Sequence, residues 1–429
     1  MHKNVYLLSL GCTKNLVDSE KLNILLTNNG FNFVDNSNEA DILIINTCGF
    51  IEDAKKESIE SILDLIAVKK NPDVKIFVIG CLAERYKNDL KKEFPEVDYF
   101  FGINSQEKIL QTLSCFYSLN APYESGYKSI APNHVGFLKI AEGCSNKCSY
   151  CSIPGIRGDF HSFPKEEIFK DLSHLLRRGA KEINVIAQDT TRYGKDCYKD
   201  YFLFHLLSDI SKYKEIKWLR LLYTHPAHLD DNIIGLINSS DKICNYLDLP
   251  LQHVNDRILT EMNRGVSKSD ILKLIDKIRR YPIALRTTFI VGFPGETDKE
   301  FKELLKFIKD VRFEKLGVFL YSNEEDTPAY NFKNQIPQDV KQARYKELMK
   351  IQQKISMQNN QALLDKEVDV IIDEVLEEDN NYFVGRTQWD APDVDGNIFV
   401  KKVDGVNVGD IVKVKVVDTW EYDLVGELI

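Results

Sequence analysis

The sequence predicts an α/β protein in three parts: an amino-terminal doubly wound α/β domain, a central partial (βα)6 barrel and a small antiparallel β-barrel at the carboxyl end. Apolar runs of strand length alternate with helical periodicity in two separate series, which supply the first two parts. About five short strand-like runs with turn signals supply the third. A length of 429 residues, too great for one ordinary core, agrees with the division. The boundaries read as 1–118, a linker at 119–134, a barrel at 135–337, a connecting helix at 338–363 and a tail at 364–429.

In the first domain, the runs Val5–Leu10, Asp41–Asn46, Lys75–Gly80 and Val97–Gly102 read as buried parallel strands. Ser19–Asn29, Ala54–Val68 and Ala83–Phe94 carry the helical period between them. Each of the first three strands runs into a cysteine beside a glycine: Leu10-Gly-Cys12, Cys48-Gly49 and Gly80-Cys81. The carboxyl ends of parallel strands line one edge of a sheet, so these thiols, 36 and 33 residues apart, are expected to meet in space. Small thiols also pack well in cores, but three at equivalent positions predict a shared metal cluster.

Pro122, Gly126 and Pro132 mark the linker. The second series places strands at Val135–Ala141, Glu182–Ala187, Trp218–Tyr223, Tyr246–Leu249, Ala284–Val291 and Leu316–Leu320. Helices such as Lys165–Arg178, Phe202–Lys212, Lys268–Arg280 and Lys299–Val311 fit between them. The strand exits carry a cysteine loop, Gln188-Asp189-Thr190, Thr224-His225-Pro226, Gln252-His253, Gly292-Phe-Pro-Gly295 and Tyr321-Ser322-Asn323. In barrels of this kind the active face is built from such exits. His225 and His228 could shuttle protons or bind metal, but such a pair more often shapes a loop. Gly292 is placed to let backbone approach a cofactor.

The tail reads as strands Val368–Val375, Tyr382–Gly385, Ile398–Val403, Ile411–Val417 and Leu424–Leu428 after a polar helix from Gln338 to Leu364. From Leu364 onward, six basic residues face seventeen Asp and Glu, a net charge of −11, while the rest of the chain carries +2. An RNA-gripping module is basic, because affinity for phosphates is electrostatic. The tail is therefore not expected to bind RNA, and it suits a basic protein partner. An apolar content of 43% and a charged content of 28% are ordinary for a globular protein. No run approaches the ~18 apolar residues of a membrane span. The opening residues lack a signal peptide's length and cleavage site, so a cytoplasmic location is expected.

Nine scattered cysteines in a large chain argue for metal or redox chemistry over a disulfide framework, with Cys115, Cys197 and Cys244 standing alone as inert thiols. After Glu142-Gly143 comes Cys144-Ser-Asn-Lys-Cys148-Ser-Tyr-Cys151. Three thiols at C-x3-C-x2-C spacing can hold three corners of a 4Fe-4S cube and leave the fourth iron open to a substrate or cofactor. Structural zinc asks for four ligands, commonly two C-x2-C pairs; no second pair lies nearby, and His134 and His161 are the candidate fourth ligands.

This motif, with Tyr150 before the third thiol and after the first strand of a β/α series, resembles the radical S-adenosylmethionine superfamily. Ser9-Leu-Gly-Cys-Thr-Lys-Asn-Leu-Val-Asp-Ser-Glu20, Asn46-Thr-Cys-Gly-Phe-Ile51, Ile79-Gly-Cys81 and Phe289-Ile-Val-Gly-Phe-Pro-Gly-Glu-Thr297 resemble the methylthiotransferases, whose tail is the TRAM β-barrel. The resemblance covers essentially the whole chain. One branch of that family modifies transfer-RNA adenosines and the other an aspartate of ribosomal protein S-twelve. Ile153-Pro-Gly-Ile-Arg-Gly-Asp159, Gln188-Asp-Thr190 and Leu249-Pro-Leu-Gln-His253 are similar to the second. Thr13 stands where that branch usually has proline, and Ser162-Phe163-Pro164 replaces a usual Ser-Arg-Pro.

The resemblance implies two 4Fe-4S clusters and S-adenosylmethionine as cofactors. Cys144, Cys148 and Cys151 would hold the cluster that cleaves S-adenosylmethionine to a 5′-deoxyadenosyl radical. Cys12, Cys48 and Cys81 would hold the cluster that carries the inserted sulfur, with the methyl group coming from a second S-adenosylmethionine. Gln188, Asp189, Gln252 and Arg286 are candidate cofactor contacts from their assignment to strand exits, and Tyr150 either stacks on adenine or packs beneath its loop. No side chain beyond the two clusters is assigned a catalytic role. Ribosomal protein S-twelve is the expected substrate and a flavodoxin or ferredoxin the electron donor. A transfer-RNA methylthiotransferase is the rival reading, and a non-catalytic metal-binding module the distant one.

Overall fold

Strand runs apolar at every position, such as Ile42–Ile45 and Ile76–Ile79, ask to be covered on both faces. In a computed structural model, which describes residues 3–69, 72–119, 129–377 and 381–429, they are. Pro122 and Gly126 of the linker lie outside the described residues. The chain forms two compact units: Met1–Ala131 with Cys151–Asp159 and Glu324–Asp326, and Pro132–Tyr150 with Phe160–Asn323 and Thr327–Ile429.

The first unit runs β1 (Lys3–Ser9), α1 (Thr13–Asn28), β2 (Phe31–Phe33), β3 (Ile42–Thr47), α2 (Glu52–Val68), β4 (Lys75–Gly80), α3 (Cys81–Glu93), β5 (Tyr99–Phe100) and α4 (Gln106–Ser114). Its sheet is parallel in the order β2-β1-β3-β4-β5. Val5, Ile42, Ile44, Phe77 and Ile79 face Leu22 and Leu26 of α1 and Ile109 and Leu113 of α4. Leu43, Ile45, Ile76 and Val78 face Ile62 and Leu65 of α2 and Leu82 and Leu90 of α3. Strand order reverses direction between β1 and β3, the switch point where open α/β sheets bind ligands. Helix α1 begins at Thr13, six residues ahead of the expected start, because Asn15, Ser19 and Asn23 are buried polar positions that mask its apolar period.

The second unit continues with β6 (Val135–Lys139), β7 (Ala141–Glu142), α5 (Ile153–Arg157, counted with the first unit), β8 (His161–Ser162), α6 (Lys165–Arg178), β9 (Glu182–Ile186), α7 (Leu203–Ser211), β10 (Trp218–Leu221), α8 (Asp231–Ser239) and β11 (Tyr246–Asp248). It closes with α9 (Asp256–Glu261), α10 (Lys268–Ile278), β12 (Ala284–Val291), α11 (Asp298–Val311) and β13 (Lys315–Leu320). Six strands form two parallel triplets, β6-β9-β10 and β11-β12-β13. A bridge from Leu219 to Ile243 and a bond from Thr224 N–H to the Asp248 carbonyl (3.2 Å) join the triplets into one partial barrel.

Helix α12 (Gln338–Gln361) leads to β14 (Glu367–Val375), β15 (Tyr382–Thr387), β16 (Ile398–Lys401), β17 (Ile411–Thr419) and β18 (Leu424–Leu428), a closed barrel in the order β14-β15-β16-β18-β17. Every seam is antiparallel except β16–β18, which is parallel. A buried ionic cluster fastens this barrel to the strands of the larger one. Arg386 pairs with Glu182 (2.7 Å) and Asp373 (2.7 Å), Asp373 meets His134 (2.9 Å), and Glu182 also binds Arg220 (2.9 Å). Burial opposes ionisation of Glu182, but the two guanidiniums hold it below the ordinary carboxylate range. His134 is thereby committed and is no fourth ligand for the cysteine loop.

Candidate active site

The sulfur site of the first unit is built at the exits of β1, β3 and β4. Cys12 caps the amino terminus of α1, Cys48 follows β3, and Cys81 opens α3. The three thiols are close enough to act on one another electrostatically. Gly11, at φ +84°, allows close approach: a Cβ there would stand 2.9 Å from the Cys48 sulfur. Two asparagines lace the strand exits together. Asn15 donates to the carbonyls of Leu10 and Thr47 (both 3.0 Å), and Asn46 donates to the Asn15 carbonyl and to Ser19 Oγ (both 2.9 Å). Arg157, buried, donates to Asp18 (3.1 Å), to Asn15 Oδ1 (2.6 Å) and to the Cys81 sulfur (3.4 Å). Burial pushes the Cys81 thiol up to about 12 against the pull of Arg157, and it raises Cys48 as well. Thiols so placed bind iron by giving up their protons, and three of them at one sheet edge suit the three corners of a cluster.

The second site gathers at the carboxyl ends of the barrel strands. Cys144 and Cys148 lie on the loop after β7, and Cys151 ends the same loop. Asn146, between the first two thiols, donates to Asp189 Oδ2 (2.8 Å) and accepts from Arg192 (3.1 Å). Ser149 bonds the carbonyls of Glu261 and Met262 (2.7 and 3.0 Å). The buried Arg264 donates to the Cys148 sulfur (3.6 Å). Burial raises the Cys144 thiol.

Of the residues expected at this face, Gln188, Asp189 and Gln252 are brought to the rim. Gln188 Nε2 donates to Glu142 (2.6 Å), and Glu142 pairs with Lys139 (2.7 Å). Gln188 Oε1, Gln252 Oε1 and His225 Nε2 are buried without a partner. The two glutamine oxygens are orphaned acceptors, and His225 Nε2 is an orphaned donor, since Nδ1 accepts from the Ala227 N–H (3.2 Å) and leaves the ring proton on Nε2. The set fits a ligand bearing an ammonium group and ribose hydroxyls, as S-adenosylmethionine does. Asp189 also bonds His228 Nδ1 (2.8 Å), and its ligand atoms and those of His225 and His228 lie within 4.8 Å of one another. Burial opposes ionisation of Asp189, but the bonds from His228 and Asn146 bring it down to about 2. Burial, with Arg264 nearby, lowers His225 to about 3.

Tyr150 is half-buried and packs on Ile258, Met262, Phe293 and Tyr321. Gly292 (φ +75°) donates to Glu296, and a Cβ at this position would meet Lys341 at 2.3 Å. Arg286 is the exception. It sits near the start of β12, not at an exit, and its guanidinium is held by Asp248 (3.1 Å) and Asp395 (3.4 Å), so the expected cofactor contact is corrected to a structural ion pair. Phe163, in place of the usual arginine, packs on the core under Lys139, whose ammonium lies 5.8 Å from the ring. Sequence reasoning overlooked Asn15, Asn46, Arg157 and Arg264 as supports, although the first three lie inside stretches that carried the resemblance.

The fold and the two thiol sites define the class: a radical S-adenosylmethionine enzyme. Residues 138–308 match the radical SAM superfamily, residues 4–102 the family described as uncharacterized protein family UPF0004, and residues 366–429 the TRAM domain. Ribosomal protein uS12 methylthiotransferase RimO of Thermoanaerobacter sp. (strain X514) is 45% identical over 437 residues, covering 99% of this chain and 100% of that protein. The namesakes from Natranaerobius thermophilus and Clostridioides difficile (strain 630) are 42% and 44% identical; each alignment spans 98% of the relative, and 99% and 98% of this chain respectively. The chain belongs to this RimO family of methylthiotransferases. Among solved structures, the radical SAM methyltransferase TsrM from Kitasatospora setae shares the fold, with a TM-score of 0.54, 14% identity and 77% coverage of both chains. The cobalamin-dependent radical enzyme OxsB does so at 0.53 and 13%, covering 81% of this chain and 56% of that one.

Proposed function

We propose that this chain attaches a methylthio group to the β-carbon of an aspartate in ribosomal protein uS12, with two 4Fe-4S clusters and S-adenosylmethionine as cofactors. Cys144, Cys148 and Cys151 hold the cluster that binds S-adenosylmethionine, and Cys12, Cys48 and Cys81 hold the second. When bound, these groups supply hydrogen-atom abstraction, the sulfur and the methyl group. The protein's own work is placement. Asn15 and Asn46 hold the exits of β1 and β3 against α1, Arg264 and Asn146 hold the cysteine loop, and Gln188 and Gln252 offer acceptors to the cofactor. Burial of these groups limits water, which a radical site requires.

The observation that carries the reading is the paired set of thiols, one at the α/β switch point and one on a strand-exit loop of a partial barrel. The substrate assignment is supported by full-length likeness to proteins named for uS12 and by the −11 tail, which suits a basic protein and not RNA. A flavodoxin- or ferredoxin-type donor supplies electrons, and the work takes place in the cytoplasm. Among the described residues, no helix is long and apolar enough to cross a membrane.

Mass spectrometry of uS12 isolated with and without the gene tests the function. An aspartate heavier by one methylthio group only when the gene is present is expected. Unchanged uS12 together with loss of methylthio-adenosine from transfer RNA would assign the chain to the other branch.

A further inference from the structure

We propose that Arg157 is a positioning residue of the Cys12/Cys48/Cys81 cluster, donating a hydrogen bond to the Cys81 sulfur that raises the cluster's reduction potential. The inference rests on the cluster reading given above. A buried guanidinium is costly unless each arm is engaged, and here the arms are divided. Nη1 faces Asp18, while Nη2 is shared between Asn15 Oδ1 and the Cys81 sulfur. The carboxylate therefore sits on one arm and the thiol on the other, so the positive end of the Arg157–Asp18 pair is turned toward sulfur. Asn15 cannot swing away, because both its amide hydrogens are spent on the carbonyls of Leu10 and Thr47. Its Oδ1 is thus fixed beside Cys81, 3.5 Å from the sulfur, and it fixes Nη2 in turn. Pairing with Asp18 alone would not require an N–H at the thiol.

Hydrogen bonds to cluster sulfurs, together with net charge and exposure, set the potential of an iron–sulfur centre. An N–H on the Cys81 thiolate draws charge from the sulfur and favours the state that has gained one electron; no proton or bond changes hands. Arg157 stands six residues after Cys151, so one short peptide carries both a proposed ligand of the radical-forming cluster and the residue that tunes the other.

The test uses the full chain carrying Cys144→Ala, Cys148→Ala and Cys151→Ala, reconstituted without oxygen, so that only the amino-terminal cluster remains. About four iron per chain are expected; absence of iron overturns the cluster reading and the inference with it. With iron present, Arg157→Met should shift the midpoint potential in an EPR-monitored titration to more negative values, and Arg157→Lys should restore part of the shift. Equal potentials in the Arg157→Met protein and its parent overturn the role of Arg157 and leave the cluster standing. Should Arg157→Met fail to retain iron, the parent protein grown with ¹⁵N-arginine decides by pulsed EPR. A ¹⁵N coupling in the reduced cluster is expected, and its absence overturns the inference.

Discussion

In the amino-terminal unit the three thiols come from three strand exits, spread from Cys12 to Cys81, whereas Cys144, Cys148 and Cys151 follow one another on a single loop. The first site exists only when β1, β3 and β4 are paired in register. Asn15 and Asn46 tie the ends of β1 and β3 to α1 with four hydrogen bonds of 2.9–3.0 Å, and Thr47 Oγ1 ties β3 to β4 by donating to the Ile79 carbonyl (2.6 Å). The second arises from local spacing and needs only to be aimed. Damage to supporting residues should therefore cost the first site more than the second.

The largest effect expected is on iron and chemistry. The Cys12/Cys48/Cys81 triple alanine variant should keep about four of eight iron atoms and still cleave S-adenosylmethionine, while making no modified uS12. The Cys144/Cys148/Cys151 variant should also keep about four but lose cleavage. If cleavage fails in both, the two sites do not divide the labour.

Next in size are the supporting asparagines. Asn15→Ala strands two backbone carbonyls and one arm of Arg157, at a cost of about 3 kcal/mol. Asn146→Ala should cost about 1 kcal/mol, since Asp189 keeps His228 and Thr191. Urea denaturation of the two variants compares them, and equal losses would erase the distinction between a fold-made and a loop-made site.

Acid acts on the loop site through its carboxylate. Asp189 is held at about 2 against an ordinary 3.8, so its contribution is full above pH 3.8 and lost as pH falls through about 2. That contribution is about 2 kcal/mol. His225, lowered from 6.5 to about 3, acts in the same direction: its contribution is full above pH 6.5 and declines as pH falls toward 3. Unfolding followed against pH in wild type and Asp189→Asn should show a shallower acid limb in the variant. The smallest effect concerns the tail. Reversing the exposed Asp418 and Glu421 to lysine should lower kcat/KM for uS12 about threefold at low salt, and the difference should shrink as salt is raised.

Much of this was legible from local pattern. Strand runs such as Ala284–Val291, the helix Lys165–Arg178 and the cysteine positions need only a window of residues to be seen. What stayed hidden depends on long-range pairing or on short elements. The three-residue β2 and six-residue α9 are too brief to show a period. Arg157 and Asn15 lie 142 positions apart, so no spacing rule joins them. Arg286 misled because a charged residue inside an apolar strand reads as a functional side chain, when Asp248 and Asp395 on neighbouring segments neutralise it.

The ionic cluster around Glu182 also bears on how such enzymes diversify. The acidic tail is the part an evolving lineage would exchange to change partners, yet Glu182 and Arg220 are fully buried and Arg386 of the tail is the second counter-ion of Glu182. A chimera that brought in a foreign tail without an equivalent of Arg386 and Asp373 would leave Glu182 short of a cation and His134 without its carboxylate. An exchanged tail would therefore have to bring an equivalent inner ionic face with it, which leaves the tail's outer face as the surface free to change.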